Sequence, residues 1–288
     1  MKEILLKVIR DTRLWREGQT ELFYIYNLLF KTPFCRFKFI DYGCYFKNRF
    51  FGERILSSMP NYWFTPEDDL EVHILCGKKD LTILAWALKS FLYYSGLKPK
   101  IIIHNDGTLT FKFQRLIELK FSNLTVVNSI KLEGTILLKK LIDVFASAKA
   151  NNVIVMDSDI IFYKRPREMI DFIKNDKIKA LATASRNGEF CSGLILVKKE
   201  LLDINKLQEY LKDKDLNDYF VEQNAWKHML QDYVELLPSD TYTIKYPPNE
   251  HTVMKHFTGP RRQELYAYGI DRFRRNMETD IKKGIPSF

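Results

Sequence analysis

The chain has 288 residues, of which 46% are hydrophobic and 28% charged, with 12 glycines and 10 prolines. This length supports one large α/β domain or two small ones, and the composition excludes a disordered or low-complexity chain. The formal net charge of +9 suits nucleic acid, an anionic membrane surface or a polyanionic substrate, and the scatter of Lys and Arg selects none of them.

No uninterrupted run of about 18 apolar residues occurs, so no transmembrane helix is expected. Charges interrupt the apolar residues of the opening MKEILLKVIRDTRLWREG. No small-residue cleavage site follows, so a secretory signal is not expected. Cys35, Cys44, Cys76 and Cys191 lie far apart with no CxxC pair. That pattern points to free thiols in a reducing cytosol rather than to disulfides or a structural zinc. The expected location is cytoplasmic, with peripheral attachment to the inner membrane face as a further option.

Residues 1–68 mix aromatic and basic side chains, as in FYIYNLLFKTPFCRFKFIDYGCYFKNRFFGER. Helices are expected over Lys2–Arg16 and Gln19–Phe30, the second ended by Pro33. This extension reads either as a helical cap on the main domain or as a basic-aromatic surface for a membrane or partner. A linker-like stretch, Asn61–Asp69, leads into a second unit, residues 69–288. Its elements alternate. Strand Glu71–Cys76 ends at Gly77, and helix Leu81–Tyr94 follows. Strand Lys100–His104 ends in the turn residues Asn105-Asp106-Gly107. Helix Thr110–Leu119, strand Asn123–Val127 and helix Thr135–Ala148, which carries Lys139 and Lys140, come next. Asn152–Phe162 is the strongest strand pattern of the chain. Such alternation predicts βαβ units and a mainly parallel sheet flanked by helices.

The main chemistry lies in NNVIVMDSDIIFYKRP. Val153-Ile154-Val155-Met156 is apolar on both faces, as a central parallel strand requires. Asp157 and Asp159 follow at once, and in extended chain residues i and i+2 point the same way. Two carboxylates are thus expected together at the strand's C-terminal end, the edge where open α/β sheets bind ligands. Two like charges beside an apolar core need a positive partner. A divalent cation with oxygen ligands, Mn²⁺ or Mg²⁺, is the simplest one, and such ions also bind diphosphates. The plainer reading is that both acids cap a turn or the helix starting near Pro166.

Four segments in order raise the first reading: the Glu71–Cys76 strand with its loop, VIVMDSDIIF, FCSGLILVKK and MKHFTG, with VEQNAWKHML between the last two. Together, over roughly residues 70–260, they make the chain resemble a GT-A (Rossmann-like) glycosyltransferase of the family 8 group, which includes glycogenin and the lipopolysaccharide galactosyltransferases. The resemblance implies that His256 completes a manganese site with Asp157 and Asp159. It places Cys76, Gly77 and Lys78 against the base and ribose, with Asp106 on the same edge. It sets Lys139 or Lys140 against the nucleotide and Ser158 within the metal motif. Gly193 is implied as a close approach to the donor, and Glu222 and Gln223 as the pair at the anomeric carbon. The Gly259-Pro260 turn with Arg261 and Arg262 beside it reads as an anion pocket, and Lys255, Arg261 or Arg262 is expected to add donors to the diphosphate oxygens. Cys191 stands where the family usually has Asn, and Glu222 where it has Asp. His251 is a weaker competitor for the metal.

The implied reaction is transfer of a hexose from a nucleotide-diphosphate sugar, UDP by resemblance, to an acceptor hydroxyl, with retention. The acceptor is a saccharide, a lipid-linked sugar or a protein. An inverting enzyme would need a carboxylate such as Glu222 as general base. One alternative is a haloacid-dehalogenase-type phosphatase or phosphotransferase, whose Asp-x-Asp normally opens its domain. Another is a non-enzymatic scaffold or nucleic-acid binder, for which no reader motif is present, so no nucleic-acid partner is expected.

Overall fold

Strand β1 (Leu70–Cys76) is buried along nearly its whole length, which places it in the middle of a sheet. The structure is a computed structural model, described here for residues 48, 57, 59, 61–67, 69–128, 134–244, 247–258 and 262–283. The helices expected over 2–16 and 19–30 lie outside the described residues, as do Cys35, Cys44, Gly259 and Arg261.

After β1 come α1 (Leu81–Ser95), β2 (Lys100–Asn105), α2 (Phe111–Glu118), β3 (Leu124–Asn128), α3 (Ile136–Ser147) and β4 (Asn152–Met156). All but β4 match the expected elements to within one residue at each end. Local chemistry sets several boundaries. The Thr135 side chain accepts from the Leu138 amide and so starts α3, and the Asp203 side chain does the same for α5 (Ile204–Leu211). The later elements are β5 (Ile160–Phe162), α4 (Arg167–Lys174), β6 (Ala180–Ala184), β7 (Phe190–Lys198), α6 (Val221–Leu230), β8 (Val234–Leu236), β9 (Tyr242–Thr243), β10 (Met254–His256) and α7 (Ile270–Lys282).

Seven strands form one sheet in the order β3-β2-β1-β4-β7-β6-β8. The β1–β2, β2–β3, β1–β4 and β6–β8 pairs are parallel, and only β7 opposes its neighbours. The chain winds outward from β1 to β3 and then crosses back to β4 on the other side of β1. This reversal opens a crevice at the C-terminal ends of β1 and β4. A three-stranded sheet, β5-β10-β9, lies beyond it.

Two apolar cores cover the large sheet. One joins Val72, Ile74, Ile101, Ile103, Ile154 and Met156 to α1, the small sheet and α7. The other joins Val153, Val155, Ile195 and Val197 to α3, α5 and α6. Under β1 and β2 this second face is polar instead. His73 Nδ1 lies 3.0 Å from His104 Nε2, His104 Nδ1 lies 3.3 Å from Asp143 Oδ2, and Glu71 lies 3.5 Å from His73 Nε2.

Two expectations are corrected. The pattern over Asn152–Phe162 is two strands in two sheets, because the chain leaves β4 at Asp157 and turns through Ser158 and Asp159 before entering β5. The apolar runs on either side of Asp157-Ser158-Asp159 read as one strand, and both are buried. The stretch 61–69 is not a free linker either. Tyr62 bridges to Phe121, and their rings stack at 5.5 Å.

Candidate functional site

β4 delivers Asp157 to the crevice, where its amide donates to the Gly193 carbonyl at 2.8 Å. β10 runs antiparallel to β5 with His256 opposite Ile160, and the Phe257 amide donates to the Asp159 carbonyl at 2.9 Å. This pairing, rather than an extended i, i+2 arrangement, brings the acids together with His256. His256 Nε2 lies 3.1 Å from Asp159 Oδ1 and 3.4 Å from Asp157 Oδ2. One ligand atom from each of the three residues lies within 4.8 Å of the others.

Two cations flank the cluster. Arg262 Nε donates to Asp159 Oδ2 at 2.7 Å, and its terminal nitrogen reaches both oxygens of Asp80 at 3.3 Å. Lys140, buried in α3, donates to Asp157 Oδ1 at 3.3 Å and lies 3.8 Å from Glu222 Oε1. Burial alone would push the aspartates up. For Asp157 the Lys140 charge and His256 outweigh it, and for Asp159 Arg262 and His256 do, so both stay below the usual carboxylate range. His256 shows the converse. Burial would lower it, but Asp159 and Asp157 hold it well above the ordinary imidazole value. Glu222 is pushed up by burial, which Lys140 only partly offsets. Ser192 Oγ donates to its Oε2 at 2.8 Å.

Gly193 is required by close approach. A Cβ there would lie 2.1 Å from His256 Cε1 and 2.3 Å from Nδ1. Gly77 has the same role against Asp106, whose Oδ2 would lie 2.0 Å from an added Cβ. The pairing of β6 with β7 is irregular. Ala182 faces Ile195 while Thr183 faces Cys191, and Cys191, Ser192 and Gly193 all line one cleft with Asp157, Glu222, Gln223 and His256. A regular strand would send alternate residues to opposite faces, so the irregularity re-aims them.

The structure therefore gathers Asp157, Asp159, His256, Lys140, Gly193, Glu222 and Gln223. Neither Asp157 nor Asp159 caps α4, and Glu222 is buried rather than a solvated helix start. The other expected residues make their contacts outside this cluster. Lys139 is one position round α3 from Lys140 and does not line the cleft. Lys255 is buried, and its ammonium donates to the Ile244 carbonyl, so it does not join the cluster. Ser158 is buried beside the acids without lining the cleft. Cys76 is buried with its thiol on the Gly77 carbonyl, and Lys78 lies over the Phe113 ring. Asp106 Oδ1 accepts from the Thr108 amide and hydroxyl at 2.8 and 2.6 Å, which is turn chemistry. His251 is exposed beside Glu250. Asp80 was missed. Its signal was its place just after β1, the same sheet edge that Asp157 occupies after β4.

Among the described residues no helix is long and apolar enough to cross a membrane. No protein-family profile matches the chain, and no curated protein matches it. Solved structures do match its architecture. The glycosyltransferase GlyE of Streptococcus pneumoniae superposes with a TM-score of 0.56 at 14% identity, over 77% of this chain and 66% of that one. The galactosyltransferase LgtC, solved with donor and acceptor sugar analogues, gives 0.55 at 12% identity over 73% and 96%. The bifunctional glycosyltransferase WbbM gives 0.54 at 14% over 77% and 53%. The chain thus spans just under two thirds of the length of GlyE and about half that of WbbM. At such identities the likeness is one of fold: the chain has the mixed α/β, GT-A fold of these glycosyltransferases.

Proposed function

We propose that the chain is a metal-dependent glycosyltransferase that moves a hexose from a nucleotide-diphosphate sugar, a UDP-sugar by resemblance, to an acceptor hydroxyl. The observation that carries this reading is the convergence of Asp157, Asp159 and His256 within 4.8 Å at the topological switch point of a glycosyltransferase fold. Two carboxylates and an imidazole suit Mn²⁺ or Mg²⁺. The ring packed on Gly193, where no Cβ fits, holds the third donor in place. When bound, the ion supplies positive charge to the leaving diphosphate.

The chain's own residues supply the rest. Lys140 and Arg262 hold the outer oxygens of the two aspartates and bring positive charge to a site for an anionic donor. Glu222 is buried in the cleft, with its Oε2 accepting from Ser192 and its Oε1 3.8 Å from Lys140, and burial pushes its carboxyl up. Retention is proposed on the resemblance alone, with Gln223 beside Glu222 in the cleft. A screen of nucleotide-sugars for Mn²⁺-dependent donor hydrolysis, with Mn²⁺ plus UDP-sugar melting curves against EDTA, tests the reading. Metal-independent melting and no hydrolysis of any donor would refute it.

A further inference from the structure

His256 is 3% exposed, and its two ring nitrogens differ sharply. Nε2 faces both aspartates. Nδ1 is buried and has no hydrogen-bond partner among the described residues. A histidine that binds a metal through one nitrogen needs an acceptor for the proton on the other, because that bond fixes both tautomer and ring orientation. Carboxylates and backbone carbonyls commonly fill the role. Here the ring edge bearing Nδ1 lies on Gly193, which offers no side chain.

The irregular β7 turns Cys191 into the same cleft as His256, and the thiol is among the groups that bear on the ring. Ser192, the other polar side chain of this stretch, is committed to Glu222. We infer that Cys191 is the positioning residue of His256, its sulfur accepting the Nδ1 proton so that Nε2 stays turned to Asp157 and Asp159. This inference rests on the proposed metal site, and it gives a reason for cysteine at a position where the resembling family usually has Asn. Sulfur is a weak acceptor, so the effect sits at the lower end of the range for such partners, about tenfold in metal affinity.

The test is calorimetric titration of Mn²⁺ alone into the wild-type protein, Cys191→Ala and Cys191→Ser, with melting curves in EDTA to check folding. Cys191→Ala should weaken Mn²⁺ binding about tenfold, and Cys191→Ser, which restores an acceptor, should recover most of it. Equal Mn²⁺ affinity in wild type and Cys191→Ala overturns the inference. A second readout separates it from the proposed function. In metal-free protein labelled with ¹⁵N-histidine, the Nδ1 resonance of His256 should move in Cys191→Ala and return towards its wild-type position in Cys191→Ser. If the wild type binds no Mn²⁺, the metal reading fails. An unmoved Nδ1 resonance in Cys191→Ala then overturns the positioning role as well, whereas a moved one sustains it.

Discussion

Replacing Gly193 by alanine is the smallest change that separates the His256 ring from its acids. Gly193 is not among the glycines with positive φ, so the substitution carries contact cost and no backbone strain. The added Cβ would lie 2.1 Å from Cε1, whereas ordinary contact begins at 3.4 Å. The ring must recede by the difference, about 1.3 Å, and metal–ligand distances tolerate only about 0.2 Å. Gly193→Ala therefore removes the third protein ligand while leaving the His256 side chain in the sequence. Overpacking of this kind costs about 1–3 kcal/mol. At roughly 2–4 °C per kcal/mol for a chain of this size, the melting temperature should fall by about 2–12 °C.

The same clash gives a sharper test. In a His256→Ala background the colliding ring is gone, so Gly193→Ala should cost almost nothing further. A double-mutant cycle by urea melting in EDTA should then show a coupling of about 1–3 kcal/mol. Calorimetric titration with Mn²⁺ should show Gly193→Ala as weak as His256→Ala. Additive stabilities, or wild-type Mn²⁺ affinity in Gly193→Ala, would refute the reasoning.

Asp157→Asn and Asp159→Asn keep side-chain volume and remove charge. Each should lower donor hydrolysis by about a hundredfold or more, the equivalent of several kcal/mol of lost metal assistance, with the circular-dichroism spectrum unchanged. Wild-type turnover in both would end the metal reading. Away from the site, burial opposes ionisation of Glu71, but His73 and the Lys149 and Ala150 amides outweigh it and hold the carboxyl at about 2. A depressed carboxyl contributes stability that is full above its unfolded value of 4.5 and is lost as pH falls towards about 2. At about 1.4 kcal/mol per unit that loss is about 3 kcal/mol. Urea melts should show a flatter acid limb in Glu71→Gln, and an identical slope in the two proteins would disprove it.

The large sheet was legible because long apolar strands alternating with helices leave a periodic signal, as in Val153–Met156 and Leu81–Ser95. The small sheet was not, since strands of two or three residues such as Tyr242–Thr243 carry no period to read. For the same reason Ile160–Phe162 was absorbed into the strand before it. Asp157, Asp159 and His256 could be named from motifs, but their meeting depends on the β5–β10 pairing, which sequence spacing does not encode. The Lys139-Lys140 pair announced a basic residue without saying which one. Packing of α3 decides it, burying Lys140 against Asp157 and leaving Lys139 outside the cleft. Lys255, next to His256 on a strand, is sent to the other face by simple alternation, an inference the sequence permitted.

The two aspartates share one pattern of bonding. Asp157 gives Oδ1 to Lys140 and turns Oδ2 to His256, while Asp159 gives Oδ2 to Arg262 and turns Oδ1 to His256. Each carboxylate is thus pinned by its outer oxygen, and the inner oxygens converge on Nε2. A divalent ion taking these three inner atoms would leave both outer ion pairs intact. Lys140 and Arg262 would then remain in place around the added charge. In this arrangement the flanking cations do more than neutralise the acids. They stop each carboxylate from rotating, which is the preorganisation that a site binding an anionic leaving group requires.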